Sequence, residues 1–503
     1  MIAWQQSNSN TSLIRQLADI SGDLIHLSPE IAIVATLLML LAFDLIFKNK
    51  KEVGLAAIGF TGLFATLAIL VYSWTAEPEG EVVMNGFLRY DQLAIFLKIL
   101  FVIGAISGLL IASQCKKKSL FRSGESMVIL MGLVLGAFLM SAANNLLILY
   151  LSVETVSICS YLLTGLLKGK KRAEASLKYL LFGAVSSAVM LYGISWLYGF
   201  TGSLDFMNPA FAEALAGIAP LPLGIAMVMF LGGLIFKLGA VPFHVWSPDV
   251  YEGSPSSSTL FFAIVPKISI FILLSRLSYY AFPSFISAWQ EYVTILAISS
   301  VIVGSMAGLE QRKLKSLLAY SSISHMGYLL ISFSAGNLEG FQMLFGYLII
   351  YIGSGLCIWS VFILTKLKTV YSKKQNKDLG DLVFLSKSNN MLAIVLATAL
   401  FSTAGLPPMI GFILKLSIFL VAIEQSFYIA ALISIVFSVV STFFYLRIIK
   451  ILFFEPVLVG RLYYPIKTSR ALIGAVFFYL FIFLFINPSM LYLFSQKVSL
   501  LFV

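Results

Sequence analysis

Long apolar stretches separated by short polar ones run along this chain from residue 29 to residue 493. Helical stretches of about 20 residues match a hydrocarbon layer about 30 Å thick. The apolar positions are continuous rather than alternating, so the pattern predicts α-helical spans and excludes a membrane β-barrel. Fourteen spans are expected, at 29–47, 53–74, 92–113, 126–143, 145–166, 175–199, 221–243, 257–279, 290–309, 315–335, 340–365, 389–423, 427–450 and 470–493. Two contain their own helix breakers: Gly239 and Pro242 in the seventh, and Gly405, Pro407 and Pro408 in the twelfth.

Composition supports this reading. The 503 residues are 59% hydrophobic and only 11% charged, against about 25% charged in a soluble domain. The net charge of +11 would suggest nucleic acid for a soluble protein. Here the basic residues follow the alternation of the spans instead. The segments "KNKKE", "CKKKSLFR", "KGKKR", "EQRKLK", "KLKTVYSKKQNKD" and 447–470 all fall on one side. Of the 34 Lys and Arg, four (Arg15, Arg89, Arg276, Lys497) fall on or toward the other side and five (Lys98, Lys178, Lys237, Lys267, Lys415) lie within spans away from the last turn. The positive-inside rule then places both termini outside, with no role for nucleic acid. The first 28 residues are polar and acid-containing, without a signal peptide's apolar core or a transit peptide's composition. Cys115, Cys159 and Cys357 are isolated, which predicts no disulfide framework, zinc site or iron–sulfur site. No P-loop or dinucleotide-binding glycine motif is present, so neither nucleotide hydrolysis nor dinucleotide binding is expected of this chain.

The spans divide into an outer segment (1–28), three helices (29–113), a five-helix group (126–279), a second five-helix group (290–450), and a final helix with the C-terminus (470–503). Pro242 and Pro407 are as far apart as the starts of the two groups, within boundary error. Five is an odd number, so the second group enters from the opposite side. Inverted repeats with helices broken at matching places are a transporter's plan, and the breaks point at the transport route.

A charge at the centre of a span costs about 2.5–3.5 kcal/mol on insertion scales, which makes each such residue informative. Asp44 and Lys48 read as an interfacial i,i+4 pair, and Lys98 and Lys178 as side chains reaching to the surface. Glu154, Lys237, Lys267 and Lys415 cannot easily do so. One glutamate neutralises one lysine and leaves two. A buried amine without a counter-charge favours giving up its proton, and a nearby carboxylate favours keeping it. The four groups are therefore expected to exchange protons as a coupled set. The breaks free carbonyls and make room for water between them. Lysine suits this role because arginine does not release its proton. His244 and His325 are possible relays. Asp249 and Glu252 read as loop anchors, and Lys313 and Lys315 as a basic flank.

The stretches "LGAVPFHVWSPDVYEGSP", "LKSLLAYSSISHMGYLLI" and "TAGLPPMIGFILK" resemble the antiporter-like subunit 2 of respiratory complex I, the N chain of bacteria. The resemblance implies a proton path through the matching positions Glu154, Lys237, Lys267 and Lys415. It implies that NADH, FMN, iron–sulfur clusters and ubiquinone are bound by other subunits and none by this chain. It also implies three partners: subunit 4L, subunit 4 and the lateral helix of subunit 5. One departure, "YEGSPSSSTLFF", stands where the family more usually reads Ser-Pro-Thr-Pro-Val, and it touches the start of the eighth span rather than the four charges. The Phe-, Ile- and Tyr-rich composition resembles organelle-encoded versions and favours the mitochondrial inner membrane, with a bacterial plasma membrane or plastid thylakoid as alternatives. Two other functions fit the charge pattern: a subunit of a multi-subunit sodium/proton antiporter, and a scaffold whose buried charges are permanent bridges.

Overall fold

A computed structural model of the chain describes residues 22–47, 51–76, 79–113, 123–365, 367–368, 379–383, 385–455, 462–463 and 468–501. Most of the 1–28 segment, Cys115, "CKKKSLFR" and most of "KNKKE" and "KLKTVYSKKQNKD" lie outside those residues. The described chain is almost entirely helical: α1 (Ser28–Ile46), α2 (Lys51–Thr75), α3 (Gln92–Ser113), α4 (Gly124–Ala142), α5 (Leu146–Gly165), α6 (Lys170–Thr201) and a short α7 (Pro209–Ala216). There follow α8 (Pro220–Leu238), α9 (Trp246–Gly253), α10 (Ser256–Arg276), α11 (Ile286–Glu310), α12 (Leu314–Ser334) and α13 (Leu338–Leu364). The last are α14 (Asn390–Ala404), α15 (Ile410–Glu424), α16 (Tyr428–Phe453), α17 (Thr468–Ile486) and α18 (Ser489–Leu500). Among the described residues, 11 helices are long and apolar enough to cross a membrane, or 12 if the bent pair 474–500 counts as one. The protein is thus an all-α polytopic membrane protein.

Local chemistry sets the helix ends. Asn145, Asn337 and Asn389 each accept a hydrogen bond from an amide of the turn they begin, which satisfies one of the donors a helix start leaves free. At the other end, α8 and α14 finish in the same way. Gly239 (φ 74) and Gly405 (φ 78) take the left-handed conformation, which a side chain would oppose. The next amide folds back on each: Ala240 N donates to Ile235 O and Leu406 N to Phe401 O. This closing pattern satisfies carbonyls that the helix would otherwise leave open. Both breaks also contain a cis X-Pro bond, at Val241–Pro242 and Pro407–Pro408.

Close helix contacts are made through small residues, as expected where lipid gives no hydrophobic drive to association. A methyl group on Gly304 of α11 would lie 2.6 Å from the Ser324 amide of α12. One on Gly193 of α6 would lie 2.7 Å from the Phe230 amide of α8. At the centre is α10, buried continuously from Ser258 to Arg276 and packed against α3, α4, α5, α8 and α13. It carries Lys267.

Four features differ from the sequence expectation. The final span is not straight: α17 and α18 bend by 90° at Asn487 and Pro488, because proline supplies no amide to continue the helix. A two-stranded hairpin, β1 (Glu79–Val83) with β2 (Leu88–Asp91), lies between α2 and α3. Lys98 does not reach the surface; it is buried against Glu30 at 2.5 Å. Arg276 is not in a loop but fully buried, with Nη2 2.7 and 2.9 Å from the two Asp91 oxygens. In each of the last two, a carboxylate from a distant helix or strand makes burial tolerable, and sequence spacing does not reveal such partners.

Candidate functional site

Glu154 projects from α5 toward α6 and α8. Ser187 of α6 donates a hydrogen bond to Glu154 Oε1. Lys237, on the last turn of α8, donates to Ser187 Oγ and to Tyr161 Oη, each at 3.0 Å. The same Nζ lies 3.5 Å from Glu154 Oε1. Its partners are therefore one carboxylate, two hydroxyls and the face of the Tyr161 ring at 5.6 Å. The lysine side chain is only 5% exposed and the glutamate 21%. The Ser187 hydroxyl thus bridges acid and base and gives a proton a hydrogen-bonded step between them.

Ring contacts lead from this pair toward α10. Tyr161 meets Tyr179 edge-on, Tyr179 stacks on Trp246 and touches Phe262, and Phe262 meets Tyr251. Lys267 Nζ faces the rings of Tyr251 at 5.8 Å and Tyr351 at 5.9 Å. Among the described residues no carboxylate lies within ion-pair distance of Lys267. Two aromatic faces are a weak substitute, worth about 2 kcal/mol or somewhat more when desolvated, so its charge is only partly compensated.

Beyond Lys267 lies a cavity of about 40 Å³. It is bordered by Tyr251, Ser321, Ser322, His325, Tyr351 and Thr403, among others. A water needs about 10–15 Å³ of such space and two to four polar partners. Ser321, Ser322, Ser354 and Thr403 bring hydroxyl oxygens to its wall that can accept from water, so the cavity has room and partners for a few waters. His325 on α12 is buried. Its Nδ1 is 2.6 Å from Tyr347 Oη and its Nε2 3.0 Å from Tyr445 Oη. Tyr445 in turn is hydrogen-bonded to Ser321.

Lys415 lies on the far side, on α15 just past the second break. Its Nζ donates to Thr403 O at 2.8 Å and to Ala404 O at 2.9 Å, and it sits 5.0 Å from the centre of the Tyr328 ring. Those carbonyls end α14, where the helix dipole is negative. At the first break the matching task falls to a neutral group: Trp246 Nε1 donates to Phe236 O at 3.1 Å. Ser300 of α11 accepts from Val241 N at 2.9 Å. Lys415 thus has acceptors for two of its three ammonium protons without any carboxylate. The third is free to leave, and the neutral amine that remains still satisfies both carbonyls.

The structure therefore brings Glu154 and Lys237 into direct contact. It places Lys267, His325 and Thr403, which holds Lys415, on or beside one cavity. It does not bring His244 there. That ring is half-buried in the turn after α8, with its Nδ1 unpartnered, and burial holds it below the usual imidazole range. Around it, Asp249 pairs with Lys178 at 2.7 Å and Glu252 with Lys313 at 2.7 Å, while Lys315 reaches Ser254 O. These contacts fix the loop. Sequence reading passed over Ser187, Tyr161, Tyr347 and Tyr445, because isolated hydroxyls recur throughout the spans and only their convergence marks them.

A family described as NADH:quinone oxidoreductase/Mrp antiporter, transmembrane, matches residues 143–442. The NADH-ubiquinone oxidoreductase chain 2 of Marchantia polymorpha is 34% identical over 492 residues, covering 95% of this chain and 98% of its own. The NADH-quinone oxidoreductase subunit N 1 of Rhizobium meliloti is 38% identical over 398 residues, covering 78% and 82%. A chain of respiratory complex I from Thermus thermophilus, solved with bound aureothin, superposes with a TM-score of 0.78 at 27% identity, covering 92% of this chain and 98% of that one.

Proposed function

The chain belongs to the NADH:quinone oxidoreductase/Mrp antiporter family and, within it, to the subunit 2 or N line, and from that premise we propose how it moves protons. It is a proton-translocating membrane-arm subunit of the NADH:quinone oxidoreductase complex, and the electron transfer that drives it occurs elsewhere in that complex. In this reading Glu154 and Lys237 form the first exchange pair, with Ser187 as the bridge. Lys267 receives the proton and releases it into the cavity, and His325 with its two tyrosines hands it toward Lys415. A change of field near one end alters the occupancy of the first pair, and the rest follow because each charge sets the cost of its neighbour's. The redox cofactors NADH, FMN, iron–sulfur clusters and ubiquinone belong to partner subunits.

The same reading assigns fourteen spans, with the seventh (221–243) broken at Gly239–Pro242 and the twelfth (389–423) at Gly405–Pro408, and two inverted five-helix units (126–279 and 290–450). The matched Schellman-type closures at Gly239 and Gly405 support it, as does the likeness to the Thermus thermophilus chain. It assigns subunits 4L and 4 and the lateral helix of subunit 5 as neighbours, and the mitochondrial inner membrane as the site, on the chain's composition.

The observation that carries the reading is the cavity of about 40 Å³ that borders Tyr251 and Tyr351, the rings Lys267 faces, and Thr403, whose carbonyl holds Lys415, with room for water. The test is Glu154→Gln and Lys267→Met in the assembled complex, measured as protons moved per NADH oxidised in vesicles. Loss of pumping in assembled enzyme is expected; wild-type pumping in both variants overturns the proton-path reading. The second reading, a sodium/proton antiporter subunit, draws on the same family description. Co-purification with flavin and iron–sulfur subunits distinguishes the two.

A further inference from the structure

The path above leaves one buried acid–base pair unused. Glu30 on α1 and Lys98 on α3 lie 2.5 Å apart, with side chains 7% and 2% exposed. Apart from Lys98, neither Glu30 oxygen has a hydrogen-bond donor among the described residues. The ammonium also faces the rings of Tyr90 and Phe138, at 5.8 and 5.9 Å. Taking both charges out of water is expensive, and packed apolar side chains of similar volume would serve a purely structural role at least as well.

The pair is not isolated. His26 is four residues before Glu30, at the end of the turn that precedes α1; Leu27 between them caps α1, and the bonds from Leu27 N to Asp23 O and from Ile31 N to Leu27 O bring the two turns end to end. The His26 ring packs on Tyr90 with centroids 4.7 Å apart, and its Nε2 lies 2.6 Å from Glu81 Oε2. The hairpin holds this arrangement, because Glu81 and Tyr90 are directly paired across it. Burial, and then the fields of Glu30 and Glu81, hold the Tyr90 hydroxyl above the usual phenol range, against a hydrogen bond with Ser73. From Lys98 through Glu30 and His26 to Glu81, side-chain exposure climbs from 2% and 7% to 27% and 59%. The groups form a graded series from the protein interior to water.

The inner end of this series lies on a helix that packs against the one carrying Lys267. Asp91 meets Arg276, and a methyl on Gly108 would touch Leu260 and Phe261, so α3 and α10 pack antiparallel. In that register Lys98 lies less than one helical turn, roughly 4 Å, outward of the level of Lys267. The hairpin and the start of α1 are on the face that the charge distribution assigns to the outside.

We propose that Lys98, Glu30, His26 and Glu81 form the outer release lane for protons that leave Lys267. Lys98 passes its proton to the Glu30 carboxylate, leaving a neutral amine and a carboxylic acid. The acid gives the proton to the His26 imidazole, and the imidazolium gives it to Glu81 or to bulk water. A proton arriving from Lys267 restores Lys98, and no charge accumulates over the cycle. This lane rests on the proton-path reading.

The test uses the assembled complex in vesicles, with the double variant Glu30→Gln/Lys98→Met compared against Lys267→Met. Removing both charges together leaves no orphaned ion, so assembly is expected to survive while proton release slows by about 10²-fold and the proton-to-electron ratio falls. An assembled double variant that pumps at the wild-type rate and ratio overturns the lane. If Lys267→Met still fails to pump in that case, only the lane is lost; if Lys267→Met also pumps normally, the underlying reading falls with it. Should the double variant fail to assemble, His26→Phe decides the matter, since it keeps a ring on Tyr90 and leaves both buried charges in place. The same slowing supports the lane, and unchanged release overturns it.

Discussion

Lys415 Nζ lies 2.8 Å from the carbonyl oxygen of Thr403, so the ammonium of one half-helix closes the end of the other. Lys415→Arg keeps the charge and the donors but holds its proton at any physiological pH. The expected result is a complex that assembles, seen on a native gel, and no longer pumps. Lys415→Met instead leaves two buried carbonyls without a donor, at about 1–3 kcal/mol each, and is expected to reduce the amount of assembled complex as well.

Ser187 sits between Glu154 and Lys237 and touches both. Ser187→Ala removes that bridge and leaves the direct 3.5 Å approach of the two charges. A lost hydrogen bond to a charged group corresponds to about 1.5–3 kcal/mol, which predicts at least a tenfold slower proton transfer with assembly intact. Ser187→Thr, which keeps the hydroxyl, should restore most of the rate. Pumping rates of the two variants in vesicles check this.

The cavity beside Lys267 can be filled from Ser322, which lines it and whose hydroxyl donates to Ala319 O. Ser322→Leu puts an apolar side chain where water is expected, at an overpacking cost of about 1–3 kcal/mol. The complex should assemble with a slightly lower melting temperature and lose pumping beyond Lys267. A high-resolution map of the variant should show fewer ordered waters between His325 and Tyr351.

Gly411 lies in the first turn of the second half-helix, and a methyl group there would lie 1.9 Å from the carbonyl oxygen of Ser402. No rotamer change relieves a clash with backbone, so Gly411→Ala should force α14 and α15 apart and prevent assembly. Gly224, where a methyl group would meet nothing within 4 Å, is the control: Gly224→Ala should assemble normally. Steady-state complex content in the two variants checks the contrast.

The apolar runs and their breakers made the architecture legible. Helical spans, the two interrupted helices, the buried lysines Lys237, Lys267 and Lys415 and the partly buried Glu154 follow from residue type and position, because a bilayer punishes every unpaired polar group and leaves few exceptions to explain. His325 was readable only as a histidine in an apolar helix; its place between Tyr347 and Tyr445 required three helices to meet. The bend at Pro488 was readable in principle, yet the apolar pattern continued across it and hid it.

By itself the sequence determined where helices form, where they break and which charges must be buried, since these depend on local chain chemistry and on the apolar solvent around it. Only the tertiary structure decided who neutralises whom. Lys98 found Glu30, Arg276 found Asp91, and Lys415 found two carbonyls in place of a carboxylate. Such pairings arise when helices far apart in sequence pack side by side, and the energy of a buried charge depends on that neighbour rather than on the residues before and after it.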